Sequence, residues 1–369
     1  MLKAIDWRLR PPFKSFKESY LYNEDLRPTA PAAALEFDMD KMIEEMDAAG
    51  IEVGVVPMRV GNDNNDIAEL KKLYPGRFAG LAHIDPWDGK KALNDIDLYV
   101  GEGKADGIIM EPGQFFLRGS MPADDKVLWP IYEKCQAEGI LVSLTFGGLF
   151  CDKLENYNPI YIDRVAKMFP DMTLVLSHGG WPYVTEICHV AYQRPNVYLD
   201  IDYYGFTTNP GYQDYVIAAN NVLQDRILFG SCYPGFALER AVGEYQKNGL
   251  SEEALPKVLY HNAARLLKLE KYQLLHNSIY WCGMIGIFIL GFFTADTYVT
   301  EVMGPTEEIV SSLADIFNGM VYDSTFLLII MSAILALILG QEFSKRTINL
   351  EVSAGHSRKQ IFTSKIISY

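Results

Sequence analysis

The sequence predicts an α/β fold, a (β/α)8 barrel over residues 1–270, followed by a two-helix transmembrane segment over 271–369. Three observations carry this reading. Before Glu270, eight short and nearly continuous apolar runs alternate with charged amphipathic stretches, as in a parallel sheet covered by helices on its faces. Eight such units in that length suit a closed barrel better than an open doubly wound sheet, and no GxGxxG or GxxxxGK motif follows any strand. Beyond Glu270 the charged, alternating pattern gives way to two long uncharged stretches.

The runs read as strands are Leu2–Asp6, Ile51–Met58, Phe78–Ile84, Asp106–Pro112, Ile140–Phe146, Thr173–His178, Asn196–Asp202 and Arg226–Ser231. Segments with helical apolar spacing lie between them, including MDKMIEEMDAAG from Met39, DKVLWPIYEKCQAEG from Asp125 and PIYIDRVAKMFP from Pro159. After the barrel, Leu274–Ala295 and Ser324–Gln341 each approach the ~20 apolar residues that a bilayer helix needs. The loop between them carries Asp296, Glu301, Glu307, Glu308, Asp315 and Asp323 and no Lys or Arg. Lys345, Arg346, Arg358, Lys359 and Lys365 follow the second stretch. The positive-inside rule then puts the acidic loop outside. It leaves the barrel and the tail cytoplasmic, anchored in the membrane through residues 274–341.

The net charge of -14 and a pI near 4.9 argue against a nucleic-acid partner, since phosphate backbones are held by Lys and Arg. Cys135, Cys151, Cys188, Cys232 and Cys282 are scattered and form no CxxC pair. They read as reduced thiols, with neither a disulfide framework nor a zinc knuckle. The opening MLKAIDWRLR lacks the apolar run of a secretory signal.

In a barrel of this kind the C-terminal ends of the strands share one mouth. The first strand delivers Asp6, then Arg8 and Arg10, which are two apart and so lie on one face of an extended segment. Later strands deliver His83, Glu111, Thr145, Asp200 and Asp202. His178 stands in LVLSHGGWP, and Cys232 with Tyr233 in RILFGSCYP. Trp181, Tyr203 and Tyr204 are placed to wall an apolar pocket.

AIDWRLRPP, EPG at Glu111, SHGGWP at His178, FGSCYP at Cys232 and HNAARLLKL from His261 together resemble the amidohydrolase-related branch of the amidohydrolase superfamily. That branch includes decarboxylases of aromatic carboxylic acids. The resemblance implies a metal-dependent barrel opening on D-x-H-x-H. This chain departs from it: Arg8 and Arg10 stand at both histidine positions, Thr145 stands where a strand-five histidine is often found, and Cys232 replaces the Asp of FGSDYP. Guanidinium stays protonated and offers no lone pair, so it cannot be a metal ligand. The expectation is therefore a metal-independent site with no cofactor, although the family usually binds zinc.

Two arginines suit an anion, because Arg holds carboxylate with parallel charge-assisted bonds; alternatively they pair with Asp6, Glu111 or Asp202 as an ion network closing the barrel. The site expected from sequence has His178, Glu111, Asp202 and Cys232 as catalytic groups, with two readings of Cys232 left open: a thiolate of lowered pKa beside the arginines, or a small buried core filler. Asp6, Arg8, Arg10, Thr145, Trp181 and Tyr233 would bind the substrate. The reaction expected is hydrolysis or decarboxylation of a small carboxylate-bearing molecule, an aromatic acid being one class. Two other readings stand beside it: an inactive barrel that binds an anionic ligand, and a membrane transporter component acting through the tail. The tail resembles part of an ABC transporter permease, on its two spans, acidic loop and EFSKRTINLEVSAGHSRKQ. The sequence leaves homo-oligomerisation open.

Overall fold

A computed structural model of the chain describes residues 2–18, 22, 30–114, 119–149 and 152–268. By internal contacts this part of the chain belongs to one unit, Met1–Leu267. The expected membrane spans and the transporter-like tail lie outside the described residues. Among the described residues, no helix is long and apolar enough to cross a membrane.

Eight parallel strands follow one another in sheet order: β1 (Ala4–Asp6), β2 (Ile51–Pro57), β3 (Phe78–His83), β4 (Gly107–Met110), β5 (Val142–Thr145), β6 (Leu174–Ser177), β7 (Val197–Asp200) and β8 (Ile227–Leu228). Their residues are almost all buried, as expected of strands with helices on one side and a filled barrel on the other. The sheet curls until its ends meet. Trp7 N–H donates to the Phe229 carbonyl at 2.8 Å, and Leu9 bridges Tyr233 in parallel. Asp6 staples this seam, its carboxylate accepting from the Ser231 backbone N–H at 2.8 Å and from the Ser231 hydroxyl.

β8 is shorter than the run Arg226–Ser231 predicts. From Phe229 onward the backbone turns to other partners: Phe229 N–H donates to the Val258 carbonyl of the C-terminal helical segment. The helices are α1 (Ala32–Glu36), α2 (Met39–Ala49), α3 (Asn65–Leu73), α4 (Lys90–Ile96), α5 (Trp129–Glu138), α6 (Pro159–Met168), α7 (Val184–Gln193), α8 (Tyr212–Asn220) and α9 (Leu238–Lys247). Asp38 caps α2 by accepting from the N–H groups of Asp40 and Lys41. The helix expected from Asp125 instead begins as a 3₁₀ turn and becomes α5 only at Trp129. Pro130 lacks an N–H and is tolerated only in a first turn, so the α-helix starts there.

Candidate active site

His178, Asp202 and Cys232 follow β6, β7 and β8. All three adopt left-handed backbone angles, φ 67°, 35° and 59°. That conformation is costly for residues with a Cβ and persists where the surrounding structure imposes it, which happens most often at functional sites. Their donor atoms lie within 4.8 Å of one another.

Arg8, two residues past β1 and 1% exposed, projects into this cluster. Its Nη2 lies 3.0 Å from His178 Nε2, and its Nε lies 3.6 Å from Asp202 Oδ2. On the other side of the ring, His178 Nδ1 is 2.6 Å from Asp202 Oδ2. This spacing defines the tautomer: Nδ1–H faces the carboxylate, and the Nε2 lone pair receives the guanidinium. Burial, aided by the Arg8 charge, holds the imidazole at about 4 against the pull of Asp202, so the ring is neutral at pH 7.

The two acidic groups of β7 and its extension are driven apart. Burial and the neighbouring Asp202 charge push Asp200 well above the usual carboxylate range. Burial also opposes the charge on Asp202, but His178, Arg8 and the Cys232 thiol hold it below that range. The two carboxyls are thus shifted in opposite directions by their surroundings. Gly230 makes this crowding feasible, because a Cβ there would stand 2.6 Å from Asp200 Oδ1 and 3.1 Å from Arg8 Cβ.

The thiol of Cys232 departs from expectation. Burial and the Asp202 charge push it well above its ordinary pKa, outweighing the opposite pull of Arg8 and Arg10. The thiolate nucleophile expected from sequence is therefore corrected to a neutral thiol. The buried Cys that packs as core filler is the reading this environment suits.

Glu111, just past β4, is 1% exposed but does not orient His178. Its Oε1 takes Arg59 Nε at 3.0 Å and Arg59 Nη2 at 2.8 Å. His83 Nε2 stands 3.7 Å from Oε2. Burial opposes its charge, yet Arg59, His83 and Arg8 together hold the carboxyl below its usual range. Sequence reading missed Arg59. The signal was available, since Arg59 lies two residues beyond the end of β2, as Arg8 lies beyond β1.

The remaining expected binders divide. Thr145, at the end of β5, is buried, and its Oγ1 has no hydrogen-bond partner among the described residues. Arg8 Nη1 is a buried donor in the same condition. Arg10 is buried; its N–H donates to the Tyr233 carbonyl and its carbonyl accepts from the Tyr22 hydroxyl. Trp181 stacks on Tyr204 with centroids 5.1 Å apart, and its indole N–H donates to the Pro210 carbonyl. Tyr204, Tyr203 and Phe236 continue this aromatic wall, with Tyr204 edge-on to His178 at 5.7 Å.

Two of the expected binders turn to protein partners. Both Asp6 oxygens accept from protein donors, Arg8 N–H and the two of Ser231, so Asp6 serves the seam. Tyr233 sends its hydroxyl to Glu45 on α2.

Gly148 lies over the imidazole at φ +96°. A Cβ there would stand 2.9 Å from the ring carbon Cδ2 of His178, so only glycine allows the loop after β5 to cover it.

A closed parallel barrel with an acid–base cluster at its C-terminal mouth defines the class. The chain belongs to the amidohydrolase family, which it matches over residues 6–269. It is 37% identical to a TIM-barrel protein of uncharacterised function from Bordetella bronchiseptica, over 72% of this chain and 99% of that one, with a TM-score of 0.66. Dihydroxybenzoic acid decarboxylase from Polaromonas, a structure with bound manganese and the inhibitor 2-nitroresorcinol, shares the fold at 19% identity. That likeness covers 75% of this chain and all of that one, with a TM-score of 0.55. Protein fluG of Emericella nidulans is 26% identical over an alignment of 134 residues that covers 31% of this chain. The chain spans 16% of that protein's length. These matches bear on the barrel, and none supports the transporter resemblance of the tail.

Proposed function

We propose that this protein hydrolyses a small organic acid, holding the substrate carboxylate at Arg8 and moving a proton at His178 Nε2. The line Arg8–His178–Asp202, with its 3.0 Å and 2.6 Å separations, is the observation that carries the reading. Arg8 has a buried donor to spare in Nη1. An incoming carboxylate takes the guanidinium through two parallel bonds and draws Nη2 away from the imidazole. The Nε2 lone pair is thereby freed. Burial is the main force keeping the imidazole neutral and the Arg8 charge the second; the anion offsets that second contribution, so the substrate helps to activate its own base. His178 then takes a proton from water as the oxygen adds to the scissile carbonyl, and returns it to the leaving group. Asp202 holds the ring and stabilises its charged form. Thr145 Oγ1 is available to the substrate, and the Trp181–Tyr204 wall suits an apolar or aromatic body.

Decarboxylation is the second reading, favoured by that aromatic wall and by the activity named for the Polaromonas structure. Against it, a guanidinium on the carboxylate stabilises the ground state and opposes loss of CO2. A panel of carboxylate-bearing esters, lactones and aromatic acids separates the two, with acid release read by pH-stat and CO2 by headspace analysis. Hydrolysis predicts acid release without CO2, and His178→Gln lowering kcat by about 10²–10⁴-fold. Full turnover in His178→Gln would overturn the assignment, and carboxylate binding without any product would favour the inactive barrel. We propose further that residues 274–295 and 324–341 hold the barrel at the cytoplasmic face of a membrane.

A further inference from the structure

The family resemblance and the manganese-bound Polaromonas structure raise the question of a divalent ion at this mouth. His178, Asp202 and Cys232 supply three donor atoms close together, the number a catalytic zinc commonly takes from protein. The donors are nevertheless committed elsewhere. His178 Nδ1 faces Asp202, which leaves Nε2 as the only ring lone pair, and Arg8 Nη2 lies 3.0 Å from it. An ion bound at Nε2 would stand against a buried guanidinium whose charge is also felt by Asp202, Asp200, Glu111 and Cys232. The guanidinium cannot leave for water without uncovering Asp202, since both groups are at most 2% exposed. The residues present do not fit a metal.

We propose that the Arg8 guanidinium is a covalently attached cation occupying the electrostatic position of a divalent ion, and that the mouth excludes metals while Arg8 is in place. Arg8 reaches the His178 nitrogen from which an ion would be bound, and it offsets the Asp202 carboxylate. Its charge is single and directional. It donates N–H groups to an anionic ligand, and it offers no open coordination position for water. The inference concerns metal binding alone, so it holds or fails separately from the hydrolysis proposed above.

The test is metal titration of the full chain. After equilibration with Zn²⁺ or Mn²⁺ and desalting, elemental analysis of the wild-type protein is expected to show substoichiometric metal. Calorimetry is expected to show no saturable site that is lost in His178→Gln. Arg8→Gln removes the charge and frees Nε2. It is expected to raise zinc affinity by at least about ten-fold, in line with removal of a close like charge. Arg8→His/Arg10→His, which adds imidazoles on the first strand, is expected to bind one equivalent. Circular dichroism establishes which variants fold, and the wild-type measurement stands without them. A full equivalent of zinc on the wild-type protein, displaced in His178→Gln, would overturn the proposal. So would an Arg8→Gln protein that folds and gains no affinity.

Discussion

Arg59→Met isolates the buried ion pair that sequence reading overlooked. Arg59 and Glu111 are 8% and 1% exposed at the side chain, joined through Oε1 at 3.0 Å and 2.8 Å. Removing one partner of a buried pair costs about 3–5 kcal/mol, because the other charge stays desolvated. Glu111 keeps His83 at 3.7 Å and the field of Arg8, which places the expected loss near the lower end, about 3 kcal/mol. At roughly 2–4 °C per kcal/mol for a domain this large, Tm should fall by about 6–12 °C. The assay is thermal unfolding by calorimetry of the full chain, repeated across pH. In the wild type, the depressed carboxyl pKa stabilises the fold at neutral pH and is lost as pH falls through it. In the variant the carboxyl loses its nearest cation and is raised, so the gap between the two proteins should narrow in acid. Adding Glu111→Gln should recover part of the loss at neutral pH. A Tm change under about 2 °C, or a gap indifferent to pH, would refute the reasoning.

Four further outcomes are expected. His178 titrates at about 4 in the fold against 6.5 ordinarily, so the unfolded chain binds more protons between those values and stability rises with pH across them. The difference is on the order of 3 kcal/mol, read as a urea midpoint that shifts with pH in the wild type and less in His178→Gln. Cys232 should resist iodoacetamide at pH 8 under native conditions, as followed by peptide mass spectrometry, because its thiol is held protonated. Gly148→Ala should destabilise the protein by about 1–3 kcal/mol, through a strained φ and a contact with the His178 ring, and should lower turnover more than it weakens substrate binding. The full chain should sediment with membranes and release the barrel on proteolysis near residue 270, whereas quantitative recovery in the soluble fraction would remove the two spans.

The barrel was legible because its signal is long. Eight buried runs at regular intervals leave few architectures, and seven of the eight strands fall on their predicted runs with only the ends trimmed. β8 was overestimated because the Phe229 N–H donates to Val258 outside the sheet, which an apolar run does not announce. His178 and Asp202 were legible from position, as polar residues closing apolar strands. The partner of Glu111 was harder to read. Arg59 sits in the unremarkable stretch PMRVG, and its meaning comes only from Glu111 across the mouth. Asp6 and Tyr233 showed the same strand-end signature as the site residues, yet their side chains turn to Ser231 and to Glu45. Strand-end position reports proximity to the mouth, and side-chain direction depends on contacts between residues more than a hundred positions apart. The thiol of Cys232 failed for an energetic reason, since burial outweighed two nearby arginines.

The Asp6–Ser231 staple has a temporal consequence. Arg8 follows the first strand, while the groups around it come later in the chain, at His178, Asp202 and Cys232. During synthesis Asp6 and Arg8 precede every group they meet, and Ser231 and Cys232 come last, after β8. A nascent or truncated chain that stops before β8 has no Ser231 to hold Asp6 and no Cys232 beside Asp202, so competence for chemistry arrives only once the circle is complete.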